Sequence, residues 1–318
     1  MPPINQIAKV LELGKPFKVV SAPYTRPREN QIVVKSGALA INPIDHELQD
    51  VGKKVLPHAT FPLALGFDVA GEVVEIGSKV TRFKAGNRVI AVARGSSQTV
   101  DNETQSAFQL YVVLVEHMVA KIPDNISYER ASVLPLGLDT AACALFDPNH
   151  LNLDLPTPIK PKSNAKGQTL LIWGASSSVG LNAVQLAVSA GYEVFATCSP
   201  RNFSLLKRVG ASRMFDYRSP TVVKDIIAAY VGKTTAGGLA IGLGSMNALF
   251  DILISVKRGN KFIAMATFPI PEKKPTFLEG PYVGWYIMTS LLSYAFKSRS
   301  GASDTHLSFR TRPFGVVL

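Results

Sequence analysis

Residues 170–180 read Leu-Leu-Ile-Trp-Gly-Ala-Ser-Ser-Ser-Val-Gly, an apolar run that stops at a glycine, three serines and a second glycine. A turn of this kind between a strand and a helix can hold a dinucleotide. In the G-x-G-x-x-G fingerprint the first glycine makes the tight turn, the second admits the pyrophosphate, and the third lets helix pack on strand. With Gly180 in third place, Ser177 takes the second and Ala175 the first, so one glycine is in register. As a bare pattern the stretch reads equally well as a nucleotide site or as a serine-rich bend. The N–H groups of Ser176 to Val179 would lie at the positive end of a helix beginning near Val179, and the hydroxyls of Ser176, Ser177 and Ser178 add donors for a phosphate.

The next strand discriminates between cofactors. About 20 residues past such a turn, an NAD site presents an acid to the ribose 2'-hydroxyl. Here the strand "EVFATC" ends in "SPRN", which has none. Ser199, Arg201 and Asn202 offer hydroxyl, guanidinium and amide donors suited to a 2'-phosphate, so NADP (as NADPH) is expected over NAD. Tyr217 and Arg218 end the third strand; they read equally as an extension of that pocket or as a turn closing the strand.

The elements that position these groups fall into two grammars. Four β-branched runs, 31–41, 68–77, 87–93 and 108–122, bounded by Gly, Pro and Asn, predict a β-rich N-terminal unit. Residues 127–146 open with Ser127 as a capping residue and become helical on either side of Pro135. A polar, proline-bearing loop spans 147–168. From 169 to 267 short apolar strands alternate with helices, which predicts a doubly wound parallel sheet, so the fold class is α/β. Ligands in such sheets lie over the carboxyl ends of the strands.

Composition excludes several classes. The chain has 318 residues, 47% hydrophobic and 18% charged, as in a globular protein. The net charge of +11 is scattered in ones and twos (Lys53-Lys54, Lys207-Arg208, Lys257-Arg258, Lys273-Lys274), which is no nucleic-acid footprint. The stretch from Val283 to Phe296 is shorter than the roughly 20 apolar residues of a membrane span. The opening "MPPINQIAK" has no secretory pattern, so a cytoplasmic location is expected. Cys143 and Cys198 have no C-x-x-C partner and suit a reducing compartment. No Ser/His/Asp arrangement or carboxylate-pair motif can be assembled, which argues against a hydrolase.

Taken in order, "INPIDH" (41–46), "LGFDVAGEVVEIGSKVTRFKAGNRV" (65–89), "SAFQLY" (106–111), "AKIPDNISYERASVLPLGLDTAA" (120–142), "IWGASSSVG" (172–180) and "ATCSPRNFSLLKRVGASRMFDYRSP" (196–220) resemble the recurring blocks of the medium-chain dehydrogenase/reductases. Within that superfamily they are most similar to fungal zinc-type alcohol-dehydrogenase-like proteins and to trans-enoyl reductases that serve polyketide synthases. The resemblance implies a GroES-like domain over 1–126, a Rossmann domain over 127–296 and an atypical tail over 297–318. It places Asn42, Ile44, Asp45 and His46 beside the nicotinamide ribose. The expected cofactor set is completed by Gly242 and Thr267, and Thr140 and Asp45 are the expected catalytic pair. Thr140 carries a hydroxyl for a carboxamide or substrate oxygen; alternatively it bonds its own helix backbone.

Zinc-dependent members bind their metal where this chain has Asn42, Phe67 and Leu136, so no metal is expected. The implied activity is hydride transfer from NADPH to an activated C=C or a quinone. A small-molecule substrate, a homodimer and a polyketide synthase partner go with that resemblance. His46-Glu47 stands where relatives carry a basic pair, and Asp139 where they carry Ser or Thr. The tail "RSGASDTHLSFRTRPFGVVL" does not resemble the family's returning strand and helix. These departures make a non-catalytic NADPH-binding protein, or an inactive truncated remnant, the alternative reading.

Overall fold

The computed structural model of the chain describes residues 3–52, 59–95, 101–157 and 164–266. The expected tail, the apolar stretch from Val283 to Phe296 and Thr267 lie outside the described residues. Among those residues no helix is long and apolar enough to cross a membrane. The chain divides into two compact units, Met1–Asp139 and Thr140–Leu318.

The N-terminal unit is built on β1 (Asn5–Val10), β2 (Phe17–Ala22), β3 (Gln31–Ala40), β4 (Leu63–Ala64), β5 (Asp68–Ile76), β6 (Arg88–Val92), β7 (Tyr111–Val115) and β8 (Val119–Lys121). Helix α1 (Pro43–Val51) follows β3, and a single turn of helix, α2 (Asn102–Gln105), precedes β7. An antiparallel sheet runs β7-β3-β5-β6-β8, and a three-stranded sheet runs β2-β1-β4. Alternation along the strands buries one face: Ile32, Val34, Val69, Val73, Val89, Val112 and Leu114 share a core. The expected run 108–122 is not one strand. The chain makes a 3-10 turn at Glu116–Met118, which sends β7 and β8 to opposite edges of the sheet.

Two side-chain devices complete this unit. Helix α3 (Tyr128–Ser132) is capped by Ser127, whose hydroxyl accepts from the Arg130 N–H, and Ala131 packs against Ala70 and Ile122. Asn102 stands in for a strand: its amide oxygen accepts from Ala64 N–H at 2.9 Å and its amide nitrogen donates to Ala64 C=O at 2.8 Å.

Helix α4 (Pro135–Phe146) begins with proline in its first turn, where the missing N–H costs nothing, and the division between the units falls within it. The second unit continues with β9 (Gln168–Trp173), α5 (Ser178–Ser189), β10 (Glu193–Cys198), α6 (Phe203–Arg208), β11 (Arg213–Asp216), α7 (Val222–Ala229), β12 (Thr234–Ala240), α8 (Ser245–Ser255), β13 (Arg258–Gly259) and β14 (Ile263–Met265). Every pairing is parallel, in the order β11-β10-β9-β12-β13, with β14 also on β12. Leu170 and Ile172 face a core with α5 and α6, whereas Leu171 and Trp173 face one with α7 and α8. The strand order reverses between β9 and β12, which marks the crevice where a doubly wound sheet takes its ligand.

Candidate active site

The loop after β9 is built around two glycines. Gly174 has φ +75°, and a Cβ on it would stand 2.6 Å from the Ile241 carbonyl oxygen. A Cβ on Gly180 would stand 2.5 Å from the Gly174 carbonyl oxygen, so only glycine lets α5 start this close to the strand end. The tight turn is thus made by Gly174, one place before the position that the fingerprint register gives to Ala175. Sequence periodicity places a glycine but not its φ, which is why Gly174 is missing from the expected set.

The serines divide their work. Ser177 Oγ donates to the Gly174 carbonyl at 2.8 Å and accepts from the Gly180 N–H at 3.0 Å, so its one proton is committed to capping α5. In the structure the Ser177 hydroxyl shapes the turn. The hydroxyls of Ser176 and Ser178, and the N–H groups of Ser176, Ser178 and Val179, find no acceptor among the described residues. Ser178 is exposed and Ser176 half-buried. Free donors at a helix start, reinforced by the helix dipole, are suited to an anion.

At the ends of β10 and β11 two side chains meet. Arg218 Nη1 donates to Ser199 Oγ at 2.8 Å, and the guanidinium lies 4.5 Å over the Tyr217 ring. The backbone of the same residue closes a turn, its N–H donating to Asp216 Oδ1 at 3.1 Å. The main chain thus closes the strand with a turn, while the Arg218 side chain lies between Ser199 and Tyr217. Arg201 is exposed and Asn202 half-buried in the 3-10 turn Pro200–Asn202. Beside them, burial pushes the Cys198 thiol up to about 11, so it is no nucleophile. Gly242 follows β12 and its carbonyl accepts from Ser245 Oγ at 2.6 Å.

In the N-terminal unit, α1 carries the expected residues Asn42, Ile44, Asp45 and His46. Asn42 is the N-cap; its N–H donates to Asp45 Oδ2 at 2.8 Å, and Gly66 N–H donates to Asp45 Oδ1 at 3.1 Å. Asp45 is 1% exposed with both oxygens occupied. Both of its oxygens thus hold main-chain N–H groups, of Asn42 and of Gly66. Ile44 is half-buried, and His46 has a 69% exposed side chain, 3.6 Å from the Asp50 carboxylate.

Asp68, also 1% exposed, accepts from Asn42 Nδ2 at 2.9 Å and from Leu136 N–H at 2.7 Å. Burial raises both carboxyls to about 6, against the lowering effect of these hydrogen bonds. On α4, Thr140 is 7% exposed and its hydroxyl makes no hydrogen bond among the described residues. Burial also raises the pKa of the half-buried Asp139 next to it.

Among the described residues no group of three His, Cys, Asp or Glu side chains is placed to hold a metal ion. Asn42 turns its amide nitrogen, a donor, toward Asp68, while Phe67 and Leu136 are buried hydrocarbon. These positions do not fit a zinc ion.

Residues 28–124 match the alcohol dehydrogenase GroES-like domain. The chain is 46% identical over 296 residues to the dehydrogenase pigH of Monascus ruber, covering 93% of this chain and 79% of that one. It is 36% identical over 269 residues to the trans-enoyl reductase tazE of Aspergillus terreus, covering 83% and 86%. An alcohol dehydrogenase superfamily protein from Novosphingobium aromaticivorans superposes with a TM-score of 0.67 at 26% identity, over 85% of this chain and 74% of that one. With a GroES-like β unit followed by a parallel doubly wound one, this chain belongs to the medium-chain dehydrogenase/reductase superfamily and is an oxidoreductase.

Proposed function

We propose that the protein is an NADPH-dependent reductase that acts without a metal on an activated C=C, as in an enoyl thioester or enone, or on a quinone. The observation that carries this reading is the Arg218–Ser199 pair at the ends of β10 and β11, beside a strand end that holds no acid for a ribose hydroxyl. The donors at the start of α5 fit a pyrophosphate, and the cradle that Gly174 and Gly180 keep open fits its close approach.

In this reading Ser176, Ser178 and Val179 hold the pyrophosphate. Arg218 and Ser199, with Arg201 and Asn202 in the adjoining turn, hold the 2'-phosphate, and Tyr217 covers the adenine. NADPH, when bound, supplies the hydride that the protein itself lacks. Thr140 offers an uncommitted hydroxyl to the carbonyl oxygen that gains charge in the acceptor, a role for a preorganised donor. The kinship with trans-enoyl reductases favours an enoyl thioester as acceptor, presented by a polyketide synthase.

Titration of the purified protein with NADPH and NADH, read by Trp173 fluorescence, tests the nucleotide site. Loss of NADPH absorbance with a panel of enoyl thioesters, enones and quinones tests turnover. Equal response to the two nucleotides would refute the assignment of the 2'-phosphate site. One observation favours a second reading, in which the protein binds NADPH without turning it over: Asp139, a half-buried carboxyl, adjoins Thr140. Tight binding with no turnover across the panel would select that reading.

A further inference from the structure

The two buried carboxylates of the N-terminal unit form a closed set of pairings. Four donors meet four oxygens: the N–H groups of Asn42 and Gly66 on Asp45, and the Asn42 amide and Leu136 N–H on Asp68. Asp68 opens β5, where its backbone pairs with Ala40 of β3 on one side and Val92 of β6 on the other. Its carboxylate therefore starts from a base fixed by two neighbouring strands.

From that base it reaches two helix starts at once. Leu136 is the second residue of α4, so its N–H is one of the donors a helix leaves unpaired, and an anionic acceptor there also meets the helix dipole favourably. Asn42 is the N-cap of α1. Its amide orientation follows from chemistry, since the opposite rotamer would set its oxygen against a carboxylate. Thr140 stands four residues beyond Leu136, one helical turn along α4. Asn42 and Leu136, two of the positions that cannot hold zinc here, thus converge on one carboxylate.

We propose that Asp68 is a positioning residue for the reduction: it does mechanically what a metal ion would do, clasping the first turn of α4 to the first turn of α1. The clasp fixes where the helix that carries Thr140 begins. Its catalytic part rests on the reductase reading above.

The test compares Asp68→Ala with the double exchange Asn42→Asp/Asp68→Asn. In the single variant the Asn42 amide and the Leu136 N–H both lose their acceptor. The exchange puts the carboxylate on the α1 side and the amide on β5, which restores a bond to Asn42's position and leaves an oxygen for Leu136 N–H. With the acceptor that the wild type turns over best, the single variant is expected to lose about 10- to 100-fold in kcat, the scale of a slightly misplaced catalytic group. Its NADPH dissociation constant is expected to change far less, because the residues proposed to hold the phosphates lie in the other unit. The double exchange is expected to recover most of kcat.

A folded single variant with undiminished kcat would overturn the proposal, and so would a loss that the double exchange leaves unrepaired. Should the wild type oxidise no NADPH, it is the reductase reading that fails, and hydrogen exchange at the Leu136 amide then judges the clasp. Faster exchange in Asp68→Ala, restored in the double exchange, supports the clasp; unchanged exchange overturns it.

Discussion

Arg218 Nη1 donates to Ser199 Oγ across 2.8 Å and so joins the carboxyl ends of two neighbouring strands through residues 19 positions apart. A guanidinium has five N–H donors and the serine takes one, so the rest stay available while the stacking on Tyr217 fixes their plane.

Replacing Arg218 by alanine is therefore expected to weaken NADPH binding by about 10- to 100-fold, as for one lost charge-assisted contact of roughly 1.5–3 kcal/mol. NADH binding should change little. Fluorescence titration of both nucleotides checks it; parallel losses would show that the arginine does not read the 2'-phosphate.

Gly180→Ala forces a methyl to within 2.5 Å of the Gly174 carbonyl oxygen. A shift of α5 away from β9 is the only relief, and the expected cost is about 1–3 kcal/mol, as for other overpacked sites. Thermal melting measures it, and an undisturbed melting temperature would contradict the close approach described.

Ser177→Ala and Ser178→Ala make a contrasting pair. Loss of the cap at Ser177 is expected to cost about 1 kcal/mol of stability. The exposed Ser178 should leave melting unchanged and lower only the affinity for NADPH. Chemical denaturation together with nucleotide titration separates the two roles.

Burial raises Asp45 and Asp68 from an ordinary 3.8 to about 6. Between those values the native chain holds protons that the unfolded chain has released, so by linkage this contribution to stability is present at low pH and is lost as pH rises through about 6. Each charged carboxylate then costs up to on the order of 3 kcal/mol. Carboxyl carbon-13 titration should give midpoints near 6 for both residues; midpoints near 4 would refute it.

The alternation of apolar strands and helices after residue 168 was legible in the sequence because each element is long enough to show its own period. So was the helix pair flanking Pro135. The break at Glu116–Met118 was not: a β-branched run reads alike whether or not the chain turns within it. Side-chain roles were legible where local chemistry decides, as at the Ser127 cap of α3. They were hidden where two distant segments meet. Asp68 finds its donors at positions 42 and 136, and Asp45 spends both oxygens on main-chain groups. Composition cannot distinguish a carboxylate that holds backbone from one that awaits a substrate.

The carboxamide of Asn102 engages both main-chain groups of Ala64. The margin of the small sheet is thereby sealed by one residue where another protein would spend a whole strand. An incoming chain finds nothing left to zip onto at that point, which guards the β4 border against self-association at the cost of a single amide.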